Sequence, residues 1–200
     1  MTGTGEPRPA TEPRPMRADA ARNHENVLAA ARHLFAERGV SGVSMEQVAR
    51  EAGVAKGTVF HRFGDRAGLA RALLGEHERR LQERILRGRP PLGPGAPPRE
   101  RLDAFIVALA ELTDTQRELL LEVDGSRPGA RFRTGAYAAW RLHATILLDE
   151  LRPSHDNEVL AHVLLAPLAA DLVEHIRNDQ RRRLDDLTRA VLEVARRLSP

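Results

Sequence analysis

Lys56, Thr58, His61 and Arg62 crowd into one short stretch, GVAKGTVFHRFGDR at residues 53–66. Lys56 is the single lysine in a chain whose other basic residues are all arginine. On a helix, Thr58, His61 and Arg62 stand at i, i+3 and i+4, a row of hydroxyl, imidazole and guanidinium. Val59 and Phe63, at i and i+4, form an apolar edge facing the other way. Such a row hydrogen-bonds base edges or oxyanions, and a short helix carrying it suits a DNA major groove. Gly57 costs a helix about 1 kcal/mol relative to alanine, but lets the helix start approach a phosphate backbone closely. That end carries a partial positive charge. Lys56 adds a flexible cation there, and Arg66 a second one at the start of the following helix. A compact three-helix packing unit with solvated polar faces fits the same spacing, and spacing alone does not choose between the two.

The elements that must position this row are helical. Val27, Ala31, Leu34 and Phe35 recur at helical spacing, and Gly39 supplies a stop. Ser44-Met45-Glu46-Gln47 reads as a capping box opening a short helix over 45–52. Ala49 is small where that helix approaches the next, and Gly53 can take the left-handed conformation that redirects the chain. A third helix spans about 56–63. Asp65 caps a long fourth one carrying Leu69, Leu73, Leu81 and Ile85.

Beyond it, Gly88–Pro98 holds five prolines and three glycines, so no helix crosses it. Helical patterns resume over about 99–113, 115–123, 131–151, 155–178 and 183–198. The expected fold is all-α: a tail over 1–20, a three-helix domain with a helix-turn-helix over 21–66, and a larger helical domain over 67–200.

Composition narrows the classes. There is no cysteine, which excludes disulfide and thiol chemistry and suits a reducing interior. The longest uninterrupted apolar run, Val163–Ala170, is far shorter than the ~20 residues needed to span a bilayer. A chain in the cytoplasm with no membrane partner is expected. The pI of about 10.3 reflects a net charge of only +3 with almost nothing titrating between histidine and arginine. It is a weak hint of nucleic-acid binding at best. His155, His162, Asp171 and His175 are metal-capable types, but Asp171 points away from His162 and the histidines are too far apart to share an ion. No catalytic motif appears, and neither an enzyme, a metal nor a cofactor is expected.

The segments VLAAARHLFAERG, SMEQVAREAGVAKGTVFHRF and GDRAGLARALL, in that order over residues 22–74, resemble the N-terminal domain of the tetracycline-repressor (TetR-like) family of bacterial regulators. The resemblance implies an all-α homodimer with one helix-turn-helix per subunit and a C-terminal domain that dimerises and binds a small inducer. Carried over by position, Ser44 caps the second helix near a phosphate. Lys56, Gly57, Thr58, Phe60, His61 and Arg62 face the groove, and Arg66 takes the family's phosphate-binding lysine position. Phe60 departs from the family's usual tyrosine, so one phosphate-contacting hydroxyl is missing. The function implied is a repressor that leaves a palindromic double-stranded operator when an inducer binds. A ligand-binding or scaffold protein whose helix-turn-helix no longer binds DNA is the alternative.

In the C-terminal half, Leu184, Leu187, Val191, Val194 and Leu198 step by 3-4-3-4, a seam able to pack on another helix. The preceding helix is apolar around most of its circumference. With Leu164 and Leu168 it is expected to join that seam in a four-helix dimer interface. Pro167 should kink or break it. Phe105, Tyr137, Trp140 and His143, with Phe132, are the few large side chains able to line a ligand pocket, although for each one filling the core is the favoured reading.

Overall fold

The computed structural model describes residues 14–153 and 156–198; His155 and the first thirteen residues of the expected tail lie outside these. All regular structure among the described residues is helical. Helix α1 (Arg14–Arg38) begins inside the segment expected as tail. It is followed by α2 (Met45–Glu51), α3 (Lys56–Phe63) and α4 (Arg66–Arg87). After the proline-rich loop come α5 (Pro98–Thr115), α6 (Arg117–Gly125) and α7 (Gly135–Leu151), then α8 (Asn157–Leu165), α9 (Ala170–Glu174) and α10 (Leu184–Leu198).

Two main cores form. The N-terminal one gathers Val27, Ala31, Leu34 and Phe35 of α1 with Val48, Ala49 and Val59, and is closed by Leu69 and Leu73 of α4. The C-terminal one collects Leu81 and Ile85 of the same α4 with α5, α7, α8, α9 and α10. Helix α4 therefore belongs to both halves, and the boundary at 66/67 falls on a continuous helix rather than a linker. Between the two cores, Ala70 and Leu74 of α4 pack on Val123 of α6.

The apolar run at 157–179 is long and apolar enough in composition to cross a bilayer. Here it is broken where Pro167 was expected to break it. Ala166–Leu168 forms a single 3₁₀ turn, Ala169 is extended, and α9 restarts at Ala170 before loosening into a π-turn at His175–Asp179. The buried Thr113 hydroxyl on α5 donates to the Leu168 carbonyl at 3.2 Å, so the break is anchored to the core.

The seam of α10 is spent inside the chain. Leu187 and Val191 are buried against the C-terminal core, Leu184 and Leu198 pack on it, and Leu164 and Leu168 lie within it. Helix α10 packs on α5, and Arg196 bridges to Asp103 at 2.7 Å. Of the seven residues expected at a dimer interface only Val194 is exposed in the single chain, at 48%. Apolar side chains left in solvent nearby include Val159 (61%), Val163 (51%) and Leu172, with Leu142 and Ile146 of α7.

Candidate functional site

The α2–α3 unit is built by its own sequence. The Ser44 hydroxyl accepts from the Gln47 amide at 3.2 Å while Gln47 accepts from the Ser44 amide at 2.7 Å, completing the capping box. At the other end Gly53 takes φ +67°, the left-handed region where glycine is at home, and Val54 N–H returns to the Ala49 carbonyl at 3.0 Å. Helix α3 then starts at Lys56 behind Ala55, which offers no side-chain cap, so its first amides are not taken by a capping side chain.

Val59 is fully buried and Phe63 packs beside it, stacked on His24 of α1 at 5.3 Å. At ~100° per residue the direction opposite this pair falls at Gly57 and His61. Among the described residues a Cβ at Gly57 would meet no atom beyond its own stretch of helix within 4 Å, so no packing neighbour there requires glycine. Lys56 and Phe60 flank one side: Lys56 is ion-paired with Glu46 of α2, and its Nζ lies 5.4 Å from the Phe60 ring centre. That ion pair holds the Glu46 carboxyl below its usual pKa. Thr58 and Arg62 flank the other side, where they line a cleft against α1 with Asn23 and His24. Arg62 Nη1 donates to the Ala20 carbonyl at 3.3 Å. The expected row is thus split: His61 points straight out, while Arg62 lies against α1.

Arg66 departs further from expectation. Its guanidinium donates to the Ser41 carbonyl at 3.1 Å and pairs with Glu122 of α6 at 2.9 Å. One turn earlier on α6, Glu118 accepts from the Val40 amide at 3.1 Å. Arg66 is therefore a junction residue, not a free cation facing outward. Glu118 and Glu122 hold the N-terminal domain, while Leu120, Val123 and Asp124 on the same short helix line a cavity on the other side.

That cavity, of about 230 Å³, lies between α4, α6, α7 and the segment joining α8 to α9. Of the aromatic candidates, Tyr137 and Trp140 line it. Phe105 and His143 do not. Phe105 is fully buried in the core, and His143 meets it edge-on at 5.0 Å. Burial and the nearby Arg101 push the His143 imidazole down to about 4. Phe132 is exposed, with its edge against Tyr137. The Tyr137 hydroxyl is paired with His162 Nδ1 at 2.7 Å. The residues that sequence reasoning missed are the charged ones, Arg71, Glu78 and Asp124 with Arg127, Arg131 and Arg133. The signal was present in GSRPGARFR, three arginines on a glycine- and proline-containing connection between helices. Among the described residues no cluster of three metal-ligating side chains occurs.

Residues 27–73 match the family model of bacterial regulatory proteins, tetR family. An HTH-type transcriptional regulator of Staphylococcus aureus is 39% identical over 54 residues, covering 27% of this chain and 29% of the relative. The likeness thus spans less than a third of that relative's length. Across most of the chain the likeness is to solved structures. NalD, the secondary repressor of the MexAB-OprM multidrug efflux pump in Pseudomonas aeruginosa, is 26% identical with a TM-score of 0.56, covering 90% of this chain and 96% of that one. A regulator from Rhodococcus sp. shares the fold at TM-score 0.64 and 19% identity, over 90% and 100% of the two chains. So does FadR from Bacillus subtilis, solved with stearoyl-CoA, at TM-score 0.60 and 20% identity, over 86% and 96%.

Proposed function

We propose, from the match of residues 27–73 to the tetR-family model and from the shared fold, that the chain is a TetR-family regulator, a homodimeric repressor whose grip on a palindromic operator is relieved by a small molecule in the cavity behind α6. Each subunit lays α3 in a major groove. His61 and the open backbone at Gly57 lead, Lys56 and Phe60 flank, and Ser44 stands at the start of α2 near a phosphate. Thr58 and Arg62 reach bases by leaving α1.

The observation that carries the reading is the double role of α6. One face lines the cavity, and the other holds Val40 through Glu118 and Arg66 through Glu122. A ligand that displaces Leu120 or Val123 acts on the contacts that orient the helix-turn-helix. Two such units must sit about one helical turn of DNA, ~34 Å, apart to engage both half-sites. A change in tilt therefore costs affinity without any direct contact to DNA.

The dimer forms through apolar residues still in solvent, among them Val159, Val163 and Val194, rather than through the buried seam. Cytoplasmic localisation follows from the same reading, because the operator is there.

Selection of binders from a random double-stranded DNA pool tests this. Enrichment of a palindrome with half-sites about one turn apart is expected. Failure to enrich any sequence would leave a ligand-binding or scaffold protein in its place, with Phe60 as the first residue to suspect.

A further inference from the structure

The cavity behind α6 is unusual in its charge. Four arginines and two carboxylates line it, and most of its other polar groups are occupied. Thr113 bonds the Leu168 carbonyl, Thr134 bonds the Arg131 carbonyl at 2.9 Å, and the Tyr137 hydroxyl is held by His162. Arg131 lies over the Phe132 and Tyr137 rings and donates to the Leu165 carbonyl at 3.4 Å. Arg71, Arg127 and Arg133 are different: all three are exposed at the rim, and among the described residues their guanidinium groups make no ion pair or hydrogen bond. Behind them the wall is apolar, with Leu74, Val123 and Leu168 buried and Trp140 half-buried.

From this arrangement we infer that the cavity takes an amphipathic anion, its carboxylate or phosphate head clamped by Arg71, Arg127 and Arg133 and its apolar body lying against Leu74, Val123, Trp140 and Leu168. The inference rests on the reading of this cavity as the effector site. Three guanidinium groups whose N–H donors are not hydrogen-bonded among the described residues offer fork-shaped donor pairs that match the oxygens of a carboxylate or phosphate. The opposite choice, a cation drawn by Glu78 and Asp124, has to overcome four positive charges with two negative ones. Burial also raises both carboxyls and so weakens their charge, with Arg71 pulling Glu78 back and Arg131 pulling Asp124 back.

The chain supplies its own probe, because Trp140 is its only tryptophan and lines the cavity. Octanoate, octanol and octylamine carry one apolar body and three head-group charges. Titrated at neutral pH without DNA and followed by Trp140 emission, octanoate should bind at least about tenfold tighter than octanol, with octylamine weakest. Replacing two of the three rim arginines, Arg127→Gln with Arg133→Gln, should bring octanoate to the level of octanol while octanol binding stays put. Octyl phosphate separates the two head groups: tighter binding than octanoate assigns a phosphate, weaker binding a carboxylate.

Octylamine binding as well as octanoate would overturn the proposal in favour of Glu78 and Asp124. Equal binding of octanoate and octanol would overturn it by placing the arginines outside the contact. Either result leaves the cavity as a ligand site. No change in Trp140 emission with any of the four would remove the effector-cavity reading together with the anion. Operator binding plays no part in these titrations, so its failure would be seen separately.

Discussion

Arg66 Nη2 lies 2.9 Å from Glu122 Oε2, tying the first turn of α4 to α6. The pair has a partner contact in Glu118 and Val40, so α6 grips the helix-turn-helix domain at two points. Both side chains are partly exposed, at 36% and 20%, which keeps the interaction modest. A double-mutant cycle of Arg66→Ala and Glu122→Ala in urea unfolding should give a coupling of about 0.5–1 kcal/mol. Because the guanidinium is already neutralised, Arg66→Ala should also leave the salt slope of DNA binding unchanged. A drop of about one per subunit would return Arg66 to the phosphate contacts.

Gly57 separates stability from function. With no packing neighbour near its missing Cβ among the described residues and a helical backbone, Gly57→Ala should stabilise the fold by up to about 1 kcal/mol. The same methyl group blocks the approach of α3 to a phosphate, so operator affinity should fall by about tenfold or more. Raised stability with unchanged affinity would show that α3 does not meet DNA through this face.

Val191 and Val163 are matched in chemistry and opposite in burial, at 4% and 51% exposed. Val191→Asp places an unpaired carboxylate in the chain's own core and should lower unfolding free energy by several kcal/mol. Val163→Asp should change that quantity by less than about 0.5 kcal/mol, yet convert the dimer to a monomer in light scattering. A dimeric Val163→Asp protein would move the interface off α8.

His143 gives the fold a pH dependence. Its folded pKa of about 4 lies below the unfolded value of 6.5, so the unfolded chain binds the extra proton first. The contribution to stability is complete above pH 6.5 and is lost as pH falls towards 4. His143→Gln should therefore lose less stability than the unmodified protein between those limits in urea melts at several pH values. Parallel pH profiles for the two proteins would show that the imidazole is solvated in the folded state.

The local chemistry of the helix-turn-helix is readable from the sequence alone because its signals act over a few residues. The Ser44–Gln47 capping box, the left-handed Gly53 and the Val59–Phe63 inner edge each depend on neighbours three or four positions away. The break at Pro167 is readable for the same reason, since a missing N–H interrupts a helix whatever surrounds it. The 3-4 spacing of α10 likewise says which face is apolar, but it cannot say what covers that face. The tertiary structure assigns Leu187 and Val191 to α5 and the core, leaving Val159 and Val163 outside. Charge pairing shows the same limit. Arg66 reads as a free cation until the fold brings Glu122 beside it, and Arg71, Arg127 and Arg133 read as scattered surface charges until α4, α6 and α7 close around one cavity. Covalent neighbours decide helices, caps and turns. Which side chains are buried, paired or left open depends on groups distant in sequence, and only the packed chain brings those together.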